Sequence, residues 1–175
     1  MRSRILVPAI LAVTFGFSGA ALGQPAPMGA IEGTIDGEAM DWLTFDVPSE
    51  GTATAELRML GPMTMLSIRG HNDVGSIMEH VLSLEIALSG PESSDVMQVT
   101  INYFPEGMSD FYVDDYEGSD TTVTLDALDL DGEGGAVSGS FSARLCHLAG
   151  PEAEVDTDDC RDVEGSFETE LRMGE

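Results

Sequence analysis

The chain contains no lysine: its seven basic residues are all arginine, they face 32 acids, and the formal charge at pH 7 is −25. So negative a surface repels phosphate backbones and anionic bilayers, so nucleic acid and acidic membrane surfaces are poor partners. Aromatics make up 6% of the residues, with a single tryptophan, and there are only two cysteines. Catalytic punctuation is missing as well. No GxSxG elbow, SxxK or HExxH occurs, a CxxC is absent, and His71, His80 and His147 share no partner pattern. Carboxylate pairs carry no information in a chain with this many acids. The sequence therefore reads as that of a protein without enzymatic activity.

Long apolar runs are also scarce. The one present, "MRSRILVPAILAVTFGFSGAALG" over residues 1–23, places two arginines before an apolar core and ends on small residues. That is the layout of a secretory signal peptide cleaved after Gly23, and no second run approaches spanning length. The expectation is an exported protein, periplasmic or extracellular, and not an integral membrane protein. Residues 24–30, "QPAPMGA", read as an extended tether, and residues 31–175 as one domain with its own core. Two cysteines in an exported chain are expected to form one disulfide, Cys146 to Cys160. The acidity fits adaptation to a salty exterior, with the charges on solvated faces.

A short phrase recurs. "VSGSFSARLC" (137–146) returns as "VEGSFETELR" (163–172), and "IEGTI" (31–35) echoes it a third time. In the first copy Val137, Gly139, Phe141, Ala143 and Leu145 alternate with Ser138, Ser140, Ser142, Arg144 and Cys146, so one face of a strand is apolar. The second copy alternates in the same way. If the two strands run antiparallel with Cys146 opposite Cys160, Arg144 faces Asp162, Phe141 faces Gly165, Gly139 faces Phe167 and Val137 faces Thr169. One register then supplies a disulfide, an ion pair and two rings laid over glycines. A slip of one residue would lose every match.

Further strands are expected at 42–47, 53–60, 63–69, 80–88, 96–104, 111–116 and 121–128, punctuated by glycine, proline, serine and acidic clusters. Residues 76–89 carry a capping-box spacing from Ser76 to Glu79, yet Leu82, Leu84, Ile86 and Leu88 alternate, which favours a strand over a helix. The fold expected is all-β: a single-domain antiparallel β-sandwich or flattened barrel of about eight to ten strands, its C-terminal hairpin stapled by the disulfide. The early "GTIDGEAMDW" and the twofold "GSF" resemble uncharacterised bacterial exported β-sandwich proteins with closing paired G-x-F strands. That resemblance implies a fold and an exported location, and brings no catalytic residues with it.

Three candidate sites follow from the residues. Asp129, Asp131 and Glu133 in "DLDGEGG" alternate as in the first half of an EF-hand loop, but Ser140 stands where the bidentate glutamate belongs, so only a simpler Ca²⁺ loop remains. Asp156, Asp158 and Asp159 offer a second such loop. Met59, Met63 and Met65, with Met78 and His80, are soft ligands suited to Cu(I), although core packing explains methionines equally well. In "DWLTFDV", Leu43, Phe45 and Val47 are expected inward, leaving Trp42 outward, and Tyr112 and Tyr116 outward from "FYVDDY". Exposed rings flanked by acids suit stacking on a sugar or a contact with a surface protein. The expectation is thus a binding or structural module, with a calcium-supported carbohydrate or surface-binding module and a periplasmic copper-binding protein as alternatives.

Overall fold

The computed structural model describes residues 24–72, 78–90, 94–131, 134–150 and 153–174; the proposed signal peptide and Glu133 lie outside them. The described residues form eleven strands and no helix. In chain order they are β1 (Ala26–Ile35), β2 (Glu38–Val47), β3 (Thr52–Ala53), β4 (Ala55–Leu60), β5 (Met63–His71) and β6 (Val81–Leu88). There follow β7 (Val96–Phe104), β8 (Phe111–Val113), β9 (Thr122–Leu130), β10 (Gly134–Leu148) and β11 (Asp156–Met173).

Hydrogen bonding links all eleven into one sheet that folds over into two layers. One layer runs β9-β10-β11-β1-β2-β3 and the other β4-β5-β6-β7-β8. They are stitched together where β10 meets β8, where β11 meets β4, and where Leu43 of β2 pairs with His71 of β5. The β11–β4 contact is parallel and the other pairings are antiparallel. The result is the flattened barrel that the alternation predicts, with more strands because residues 53–60 break at Thr54 into β3 and β4. Inward side chains of both layers meet in one core, from Ile31, Trp42 and Phe167 to Leu66, Leu84 and Ile101.

The register of the C-terminal hairpin is the one derived above. Cys146 pairs with Cys160, Arg144 with Asp162, Phe141 with Gly165, Gly139 with Phe167 and Val137 with Thr169. The disulfide is formed, and the Arg144–Asp162 ion pair measures 3.1 Å. Such a bond belongs to an oxidising compartment outside the cytoplasm. Cys146 is nonetheless fully buried, because Val113 of β8 flanks it on the side away from Cys160. The third copy of the phrase lies beside the second: Ile31 faces Phe167 and Gly33 faces Gly165. Asp36 and Gly37 close the β1–β2 hairpin at φ 51° and 81°, the left-handed pair of a type I′ turn.

Three expectations change, and the strand favoured for the Leu82–Leu88 alternation is present. Ala26–Ala30 belong to β1 and pair with β2 instead of forming a tether, and Pro27 is accommodated at a bulge where its missing N–H costs no ladder bond. Residues 111–116 form a strand only to Val113. Residues 81–88 are a strand, with Leu82, Leu84, Ile86 and Leu88 completely buried, so the helical alternative is set aside. The parity of β2 is inverted: Trp42 is fully buried and Leu43 is 40% exposed. Tryptophan offers more area to bury than leucine, and its indole N–H finds an acceptor in the His80 carbonyl at 2.9 Å. Phe45 is buried as well, against His71 (ring centroids 6.3 Å apart).

Candidate functional site

A concavity lies on the outward face of β9, β10, β11, β1 and β2, a trough of about 890 Å³. Its position follows from the repeat. Side chains at alternate positions of three adjacent copies leave Ser138, Ser166 and Glu32 outward, and at Gly139 and Gly165 no Cβ fills the layer beneath. A Cβ on Gly165 would sit 2.4 Å from the Glu32 carbonyl oxygen, so β1 and β11 are held closer than any other residue permits. A shallower extension of about 530 Å³ shares Glu32 and Ser166 with the trough and adds Thr34, Ser142 and Glu164.

The strand registers place the trough residues in rows. Ser138 stands beside Glu168, Glu168 beside Ala30, and Ala30 beside Leu43. In the next row Ser140 stands beside Ser166 and Ser166 beside Glu32. Asp126 is the extra residue of a bulge in β9, between the Leu125–Gly139 and Ala127–Ser138 pairs, and it lines the trough; bulges re-aim side chains in this way. At neighbouring strand spacings of about 4.8 Å, the five strands give a width of about 19 Å.

The charges are one-sided. Glu32, Asp126, Glu168 and Glu170 line the trough, and none of these carboxylates has a hydrogen bond or ion pair among the described residues. The arginines of the same layer are engaged elsewhere: Arg144 with Asp162, Arg161 with Asp36 and Arg172 with Asp46. Such carboxylates are free to accept charge-assisted hydrogen bonds from ammonium or guanidinium groups, and the serine hydroxyls between them can donate or accept.

A second polar assembly closes one end of the barrel. Arg161 lies over the Tyr112 ring, 5.3 Å from its centroid, and donates to the Tyr112 hydroxyl at 3.4 Å and to Asp36 at 3.0 Å. The Tyr112 hydroxyl in turn donates to Asp159 at 3.4 Å. His80, held at φ 53° with its carbonyl on Trp42, places Nδ1 3.1 Å from the Tyr103 hydroxyl. Burial pushes the Tyr103 hydroxyl above the ordinary tyrosine range, the neighbouring Tyr112 adding to the rise. His147 meets Asp110 at 2.5 Å. At the β2–β5 stitch, His71 is buried with Nδ1 unpartnered, and burial, helped by Arg69, holds its pKa below the ordinary histidine value.

The residues singled out in the sequence are not brought together. Trp42 is in the core and presents no face to a ligand. Tyr112 is 8% exposed and covered by Arg161, while the half-buried Tyr116 spends its hydroxyl on the Arg144 carbonyl at 2.9 Å. The outward aromatic face expected from these three is therefore corrected: they lie in separate environments. Asp131 accepts the Gly134 amide at 3.0 Å, which makes it a turn residue between β9 and β10, and Asp129 sits on β9 opposite Ala136. Asp156 likewise accepts the Asp158 amide, and Asp159 belongs to the Tyr112–Arg161 assembly. Among the described residues, no group of three or more histidines, cysteines or acids is placed to hold a metal ion. Met59, Met63 and Met65 stay together, Met59 on β4 standing opposite Thr64 of β5, but His80 is not brought to them. Met63 and Met65 lie by the Thr64–Leu88 end of the β5–β6 ladder and His80 beyond its His71–Val81 end, about 20 Å away along the strands.

Sequence reasoning missed the trough residues Glu32, Asp126, Glu168 and Glu170. Compared with family models, curated proteins and solved structures, the chain matches none. Among the described residues, no helix is long and apolar enough to cross a membrane.

Proposed function

We propose that this chain is an exported binding module, periplasmic or extracellular, whose ligand lies along the trough on the outward face of β9, β10, β11, β1 and β2. The partner is cationic: an extended segment carrying lysine or arginine side chains. The observation that carries this reading is the set of four carboxylates, Glu32, Asp126, Glu168 and Glu170, facing one concavity without a counter-charge among the described residues. A small-residue floor of Ala30, Ala136 and Ser138 suits the flat methylene stems of such side chains, and half-exposed Leu43 offers them apolar contact at one end. Export is supported by the layout of residues 1–23 and by the disulfide. Less supports a glycan-stacking module now that Trp42 is a core residue.

The test is calorimetric titration with a short lysine oligomer at low and high salt. The expected result is salt-sensitive binding that Glu32→Gln combined with Glu168→Gln weakens about tenfold. Asp156→Asn with Asp158→Asn removes the same charge some ten residues further along β11 and serves as the control. Equal weakening by both pairs would mean that only net charge matters, and would defeat the proposal.

A further inference from the structure

The two layers do not close completely. On the side away from β6, β7 meets β8 only at Asn102 and Tyr103, and β9 pairs with β10 alone. Among the described residues, Val96–Thr100 therefore carry an unpaired backbone edge. The next amide, Ile101, is capped by the buried Asp114 carboxylate at 3.0 Å. Because the Ile101 amide points away from β6, the amide and carbonyl of Val99, two residues back, point the same way.

Free strand edges invite pairing, and proteins usually blunt them with charge, proline, bulges or brevity. Among the described residues, the outer edge of β9 is blunted by Asp126 and Asp129, and β3 by its length of two residues. β7 is not. "VMQVTINYF" has no charge, no proline and no glycine in a chain of charge −25, and its β-branched residues favour a strand. Val96 and Val99 are only partly buried, and Met97 is 61% exposed. Two copies of so acidic a chain repel one another across most of their surface, and this neutral edge is where they can approach.

We propose that the Val96–Thr100 edge of β7 pairs antiparallel with the same edge of a second copy, across a twofold axis at Gln98. Val96 then stands opposite Thr100 of the second copy and Met97 opposite its Val99, joining the two β4–β8 layers into one sheet. A copy of the chain supplies the matching edge and the matching apolar side chains at once, as a self-complementary interface requires. This inference is independent of the trough, which lies on the other layer.

The test is sedimentation equilibrium of the purified protein in 0.05 M and 0.5 M NaCl, with Gln98→Glu alongside. The expected result is a dimer whose dissociation constant falls about tenfold at the higher salt, as repulsion between copies is screened. Gln98→Glu sets like charges face to face and should raise that constant about fivefold with an unchanged melt, since the position is exposed. Gln98→Cys should oxidise to a covalent dimer, whereas Thr100→Cys, about 13 Å from its own mate in this register, should not. A monomer at all concentrations in 0.5 M NaCl overturns the proposal, as do indifference to Gln98→Glu and equal cross-linking at both positions. A monomer whose Val96–Thr100 amides gain exchange protection only with an added uncharged valine- and threonine-rich peptide also overturns it, in favour of a foreign strand.

Discussion

Phe141 of β10 lies over Gly165 of β11: a Cβ built on the glycine would be 3.0 Å from the tip of the ring, and 2.8 Å from the Gly33 Cα on the other side. The reciprocal contact holds between Phe167 and Gly139, at 2.9 Å. Each ring covers the gap left by the other strand's glycine, which is why the chain states the phrase twice. Gly165→Ala is therefore expected to cost about 1–3 kcal/mol, because the rigid β1 backbone cannot retreat as a side chain can. Denaturant unfolding checks this, and an unchanged midpoint would mean that β1 and β11 are not in close contact.

Trp42 is the largest fully buried side chain, and its indole N–H is satisfied by the His80 carbonyl. Trp42→Ala should lose about 3–5 kcal/mol of stability. Trp42→Phe keeps most of the packing but strands the carbonyl, and should lose about 1 kcal/mol. A surface ring used for stacking would behave differently, leaving the midpoint of both variants where it was.

Asp114 caps the Ile101 amide while itself 5% exposed, and burial pushes its carboxyl above the ordinary range against the pull of that amide. The folded state thus holds the proton more tightly than the unfolded state. Stability linked to this group is present at low pH and is lost as pH rises from about 3.9, the unfolded value, through the raised folded value. Asp114→Asn keeps the acceptor without the charge, so it should be at least as stable as the parent at pH 7, with any advantage gone by pH 3. Asp114→Ala leaves the amide unpaired and should cost about 1–3 kcal/mol. Thermal melts across this range test the contrast, and equal losses in the two variants would contradict it.

The C-terminal hairpin was legible in the sequence because several independent constraints, a cysteine pair, an ion pair and two glycine–phenylalanine contacts, agree on one register. The face of β2 was not. Both parities of "DWLTFDV" carry apolar residues, and what decides between them is an acceptor 38 residues away at His80. The trough was hidden for a related reason. With 32 acids in the chain, which ones lack a partner depends on arginine pairings such as Arg161–Asp36 and Arg172–Asp46, which join residues 125 and 126 apart. Nor does strand periodicity announce that Asp126 is a bulge residue. Met59, Met63 and Met65 do stay together across the β4–β5 pairing, but the β5–β6 ladder puts His80 at its other end, so the soft ligands and the histidine do not converge.

The central claim is that the outward trough receives a cationic segment, and the most direct measurement is amide chemical-shift mapping as a lysine oligomer is added. The account predicts that the largest shifts fall at Ala30–Glu32, at Asp126, at Ser138 and at Ser166–Glu170, the residues around the trough. Shifts spread evenly over the acidic surface, or centred on the Asp156–Asp159 loop, would contradict it.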